Sequence, residues 1–228
     1  MERGQKNRWV KGILLAVLTA GVLFAGWLEL HAEQKPGLGI LPFFVERIED
    51  PAKGTVVCAL CKGVYQYGEV TPGAEIILTK LLYAKIDALG RFNLFRSEKV
   101  QETLSPSVMK QFEEKPLATA VEVGKELNAD YLFVGYLFRF QERVGSSIGV
   151  EKPASVGFDI HLIRLRDGKM VWEGRFDETQ RPLSENLLKM GAFVRRKASW
   201  LKAEELSGVG MDEMLKKLPG PKDLEELP

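Results

Sequence analysis

One run constrains this chain more than any other: Tyr131-Leu132-Phe133-Val134-Gly135-Tyr136-Leu137-Phe138, apolar at odd and even positions alike. Successive strand residues point to opposite faces, so such a run reads as a central strand with both faces covered. Everything else must therefore supply two covering layers. Upstream, Leu38 to Phe44 reads as a shorter buried strand, and Ile77, Leu81, Leu82, Ile86 and Leu89 recur at helical spacing before a stop at Gly90. Phe92 to Phe95 reads as another strand, Ser97 to Leu104 as a short helix, and Ser105 to Lys115 as a connection. A long helix is expected from Pro116, a good first-turn proline, to Leu127. Downstream the rhythm changes to hairpins. Strands are expected up to 142, over 155–166 and over Lys169 to Phe176, the last pair joined by the turn signal Asp167-Gly168.

The order β-α-β-α-β-β-β predicts a mixed α/β fold, a mixed sheet with packed helices plus a C-terminal helix. Residues 45–72, rich in Gly and Pro and without periodicity, read as an insertion; a loop of that length is uncommon without a job or a staple. Ser184 caps an expected helix over 183–203, with an extension to 218. Leu187, Val194 and Leu201 form its apolar seam, and Gly208 and Gly210 its stop. Residues 219–228 read as an unpacked tail.

The amino terminus places the chain. Arg3, Lys6, Arg8 and Lys11 precede an uncharged run from Gly12 to Leu28, and Glu29 and Glu33 follow. Positive flanks stay cytoplasmic, so the body is expected on the periplasmic side of the envelope. Residues 1–32 serve either as a cleaved signal peptide or as an anchor in the inner membrane through 12–28. Outside residues 1–32 the chain carries 28 basic and 29 acidic residues, and a net charge near −1 gives no general pull toward nucleic acid.

Four segments carry a family resemblance: GILPFF, LGRFNLFRSEKVQETL, VGKELNADYLFVGYL and FDIHLIRLRDGKMVWEGRF. Together they are similar to a periplasmic α/β domain shared by the TolB amino-terminal domain, the curli secretion lipoprotein CsgG and the penicillin-binding-protein activator LpoB. The resemblance covers 37–180 outside the insertion and carries no catalytic residue. It implies a non-enzymatic accessory protein of envelope assembly or regulation that works through protein contacts. The chain departs from the group in having no propeller, no lipidation cysteine and no membrane hairpins of a secretion pore.

The chemistry-bearing residues are few. Cys58 and Cys61 are the sole cysteines, in C-x-x-C spacing inside the insertion. In an exported chain they are expected as a disulfide that fixes local shape. A redox pair would need a helix start, which Gly63, Gly68 and Pro72 oppose. A zinc site would need two further ligands, with His31 and His161 both distant in sequence, or a site shared between subunits. Asp159 and His161 share a strand face and read as an exposed cross-strand pair. Ser155 and Ser184 lie in no nucleophile-elbow motif, and no phosphate-binding glycine loop occurs. Asp177 to Gln180 reads as a polar turn. No catalytic set, cofactor or metal is therefore assigned. Arg195, Arg196 and Lys197, bordered by Phe193 and Trp200, form an expected patch for an acidic partner or an anionic membrane surface. The expected partner is an envelope protein, with self-assembly left open. Two alternatives stand beside this reading: a thiol–disulfide or metal-dependent factor using the C-x-x-C pair, and an oligomeric component of a secretion apparatus.

Overall fold

A computed structural model describes residues 34–46, 54–181 and 200–227. The expected mixed α/β architecture is present. Strand β6 (Tyr131–Gln141) is the central element, buried along nearly its whole length. It pairs in parallel with β1 (Gly37–Ile40) and β2 (Phe44–Val45), and antiparallel with β9 (Ser155–Arg164). Beyond them lie β5 (Asn93–Leu94), parallel to β1, and β10 (Lys169–Thr179), antiparallel to β9. The sheet order is β10-β9-β6-β1-β5. Gly168, with φ 70°, supplies the left-handed turn residue between β9 and β10.

Each face has its own core. Tyr131, Phe133 and Leu137 of β6, with Phe158, Ile160 and Leu162 of β9, meet helix α1 (Ala74–Leu89) through Leu78, Leu82 and Ile86. On the other face Leu132, Val134, Tyr136 and Phe138 join Phe112 of α3 (Pro106–Glu114) and Val123 of α4 (Pro116–Glu126). Helix α2 (Ser97–Glu102) adds Val100 to that side. The expected connection over 105–115 is thus helical. Ser105 caps it by accepting the Val108 N–H at 3.3 Å, and Pro106 occupies its first turn. Within β6, Gly135 faces the Phe43 ring so closely that a Cβ would lie 2.6 Å from it.

The carboxyl-terminal region departs from expectation. Phe193, Arg195, Arg196, Lys197 and most of the helix expected over 183–203 lie outside the described residues. Trp200 and Leu201 are not helical. Trp200 donates its backbone N–H to Ser147, beside the small hairpin of β7 (Val144–Gly145) and β8 (Val150–Lys152). Helix α5 then runs from Ala203 to Leu215, so Gly208 and Gly210 sit inside a helix they were expected to end. Gly210 faces the Phe176 ring of β10, where a Cβ would approach within 2.5 Å; close packing, not termination, explains it. Nor is the end an unpacked tail. Helix α6 (Pro221–Glu226) buries Leu224 completely. The Arg164 guanidinium of β9 donates to the carbonyls of Leu224 and Leu227 at 2.8 and 2.9 Å, closing off the end of that helix. Among the described residues no helix is long and apolar enough to cross a membrane, and 12–28 lie outside them.

Two expectations follow. Leu224→Ala should lower unfolding stability by about 2–5 kcal/mol in urea titrations, the cost of a buried leucine, where an unpacked tail would show almost none. Arg164 also holds the Asp167 carboxyl at about 2, below its ordinary 3.8, chiefly through their hydrogen bond. A carboxyl depressed on folding contributes stability that is complete above 3.8 and lost as pH falls toward about 2. Asp167→Asn should therefore flatten that part of the acid limb of the stability profile.

Candidate functional site

The insertion is built as a hairpin. Strands β3 (Thr55–Val57) and β4 (Val64–Gln66) pair antiparallel, and the C-x-x-C sequence is the turn between them. Cys58 donates its backbone N–H to the Gly63 carbonyl at 2.8 Å, and Lys62 takes φ 61° to close the turn. Val57 and Val64 point to solvent, while Val56 and Tyr65 face inward.

Five contacts fasten the hairpin to the sheet face that also carries α3 and α4. The Tyr65 ring stacks on Phe138 of β6, centroids 4.0 Å apart. Arg175 of β10 lies over the other side of Tyr65 at 4.2 Å and donates to the Val64 carbonyl. Arg139 donates to the Gln66 carbonyl at 2.7 Å and to Asp177 at 2.6 Å. Asp177 in turn accepts the Gln66 N–H at 3.4 Å. Arg139 reaches the hairpin because β6 shifts register between Leu137 and Arg139. Of the polar turn expected over Asp177 to Gln180, Asp177 to Thr179 are instead the end of β10, with Asp177 in an ion pair with Arg139. Ser155 is engaged as well, its hydroxyl accepting from Arg139 at 2.6 Å and sharing a hydrogen with Thr179.

Beneath the hairpin turn lie Asp159 and His161. They do share a face of β9, but that face is not exposed: Asp159 is 1% and His161 0% accessible. The strand's other parity, Phe158, Ile160 and Leu162, belongs to the opposite core. The fold therefore joins residues a hundred positions apart. Cys58 Sγ lies 3.4 Å from His161 Nε2, and the Cys61 thiol donates to Asp159 Oδ2 at 3.6 Å. His161 Nε2 is 3.0 Å from Asp159 Oδ1. One donor atom from each of the four residues falls within 4.8 Å of all the others. Both thiols are free, each aimed at a β9 side chain, and the expected disulfide is not formed. Both sulfurs also accept backbone N–H groups, Cys58 from Leu60 at 3.4 Å and Cys61 from Gly63 at 3.3 Å.

The electrostatics are those of an anion-rich pocket. Burial pushes the Cys58 thiol far up, and the Asp159 charge adds to it. The Tyr65 phenol is raised by the same two causes in the same order. Glu46 is raised by burial and then by Asp159, and Tyr136 by burial and then by Glu46. Asp159 Oδ1 and His161 Nδ1 are buried without a hydrogen-bond partner, the 3.0 Å approach of the two side chains failing hydrogen-bond geometry. A buried carboxylate in such a setting requires a positive counterpart. Two thiols, an imidazole and a carboxylate are donors suited to a divalent transition-metal ion. Cys58 does not suit nucleophilic catalysis, because it is fully buried and a thiol with a raised pKa is a poor source of thiolate.

No family model matches the sequence, and no curated protein matches it. Solved structures do align. PelC from Paraburkholderia phytofirmans, a dodecamer, aligns at 15% identity and TM-score 0.46, over 82% of this chain and 89% of that one. The LpoB C-terminal domain from Salmonella enterica aligns at 13% and 0.39, over 68% and 92%. Lipoprotein GNA1162 from Neisseria meningitidis aligns at 11% and 0.40, over 81% and 99%. LpoB is one of the three relatives named from sequence; the resemblance to TolB and CsgG gains no support from these structures. At such identities and TM-scores no functional residue is carried across.

Tyr65→Ala should release the hairpin. It removes a fully buried ring stacked on Phe138, so a loss of about 3–5 kcal/mol is expected by chemical denaturation. Cys58, inert toward a disulfide reagent in the folded parent, should then react at a rate approaching that of an unfolded control.

Proposed function

We propose that this chain is an exported, non-catalytic accessory protein of the cell envelope that works by binding another protein. The observation that carries the reading is the burial of its chemistry: Cys58, Asp159 and His161 are 0, 1 and 0% accessible and Cys61 is half-buried, so no substrate reaches the first three without the hairpin opening. Such a cluster serves architecture. The basic, apolar and acidic sequence of residues 1–33 supports export.

A contact surface accompanies that architecture. An open groove of about 710 Å³ runs between the C-x-x-C turn and α4, lined by Ala59, Leu60, Pro116, Leu117 and Val121, with Lys62, Lys115 and Lys125 around it. Leu117, 41% accessible, adds to the apolar surface of the groove. Apolar floor and a rim of three lysines against one carboxylate, Glu122, suit a partner segment carrying acidic and apolar side chains. Crosslinking in the native envelope, followed by mass spectrometry, tests this. The paired change Leu117→Glu and Lys115→Glu should leave the fold intact and reduce the recovered partner several-fold. Unchanged recovery would remove the groove from the interface. A folded parent chain that crosslinks to no envelope protein would remove the function.

A further inference from the structure

We propose that Cys58, Cys61, Asp159 and His161 bind one zinc ion, which clips the inserted hairpin to strand β9. The inference concerns the chain's own architecture and stands whatever partner the domain contacts.

Donor type, spacing and surroundings agree. Zinc takes cysteine sulfur at about 2.3 Å, and histidine nitrogen and carboxylate oxygen at about 2.0–2.2 Å; a tetrahedron of those bonds has edges of roughly 3.3–3.8 Å. Two contacts across the cluster already have that length, 3.4 Å from Cys58 to His161 and 3.6 Å from Cys61 to Asp159. His161 Nε2 also lies 3.0 Å from Oδ1, the other oxygen of the Asp159 carboxylate, and one ligand atom from each of the four residues lies within 4.8 Å of the rest. Small movements of side chains, without backbone rearrangement, complete the geometry. The site is closed. Four protein donors satisfy a tetrahedral ion, and Tyr65 and the hairpin turn cover it, as in structural zinc centres.

The charge balance also favours a dication. Ligation replaces two thiol protons, which leave to solvent, with Zn²⁺ held by two thiolates, one carboxylate and a neutral imidazole. The site's net charge is then −1. The Leu60 and Gly63 N–H groups, already directed at the two sulfurs, stabilise the thiolates. Asp159 Oδ1, buried without a hydrogen bond, gains a cation beside its carboxylate. Thiolate donors argue against magnesium and calcium, which take oxygen ligands, and a [2Fe–2S] centre takes four cysteines or two cysteines with two histidines, where this cluster has two cysteines and one histidine. A mixed sulfur, nitrogen and oxygen set in a tetrahedron selects zinc over the softer requirement of copper(I).

The test uses the full chain, purified with reductant and without chelator, with metals measured by mass spectrometry and folding followed by circular dichroism. About one equivalent of zinc is expected. After chelation, cobalt added in its place should give the thiolate-to-cobalt charge-transfer absorption and the intense visible bands of a tetrahedral ion. Asp159→Asn and His161→Gln should each weaken zinc binding by at least tenfold, since loss of a ligand exceeds the effect of losing its supporting partners. Cys61→Ser should abolish the charge-transfer band or leave half of it. Three results would each overturn the proposal. One is a folded, reduced parent chain that holds no zinc and takes up no cobalt. Another is retention of copper or iron in zinc's place. The third is a folded Asp159→Asn or His161→Gln variant with parental affinity and spectrum. If the variants fail to fold, the parent's stoichiometry and cobalt spectrum still decide the matter.

Discussion

Strand β6 sets the terms for the rest of the molecule. A strand apolar on both faces is stable only when two layers exclude water from it, and it cannot supply either layer itself. On one side the cover is α1, α5 and α6, held chiefly by Leu, Ile and Met side chains, with Arg164 receiving the end of α6. On the other side α3 and α4 reach Leu132 and Val134, and the inserted hairpin extends the cover over Phe138 through Tyr65. The insertion is thus part of the core, although it reads in sequence as an interruption.

The two covers differ in how they are held. Burial of a leucine is worth about 1.5–3 kcal/mol and does not depend on direction. The hairpin has little of that: Val56, Cys58 and Tyr65 are its buried apolar contribution, and Val57 and Val64 face water. It relies instead on directional contacts, Arg139 with Gln66 and Asp177, Arg175 with Tyr65, and the four-residue cluster. Directional contacts specify one register, but a polar group left unmatched beneath them is costly. Asp159 and His161 are such groups. Their placement in the middle of β9, where leucine or valine would cost nothing, needs a reason that packing does not supply.

Much of the fold was legible because it rests on periodicity. Gly90 ends α1 as expected, and Asp167-Gly168 makes the β9–β10 turn. The failures came where tertiary contact overrides a local signal. Gly208 and Gly210 look like a helix stop, yet Gly210 is small because Phe176 lies against it. Pro219-Gly220-Pro221 looks like a tail, yet Pro221 starts a helix whose end Arg164 receives. The site was half legible. C-x-x-C spacing and the shared face of Asp159 and His161 could be seen separately. Nothing local says that a hairpin tip lands on that face. A usable hint was present: two polar residues interrupt an otherwise apolar strand at the same parity, which is improbable for a face meeting only hydrocarbon.

The polar strip of β9 extends beyond these two residues. The face of β9 bearing Asp159 and His161 continues to Gly157, which lies 3.5 Å from Arg139 and 3.6 Å from Asp177 when a Cβ is imagined on it. From Gly157 to His161 the strand therefore offers no apolar side chain to its cover, and becomes apolar again only at Ile163. A cover for such a strip has to be polar, short and precisely placed, which a helix with its wide apolar stripe cannot be. A two-stranded hairpin can, because its backbone N–H and carbonyl groups are available to Arg139, Arg175 and Asp177. An isolated two-stranded hairpin is marginal in water, so its order has to be borrowed from the sheet. The strip and the hairpin thus explain each other: the polar residues of β9 are where an element with too little apolar surface of its own is attached.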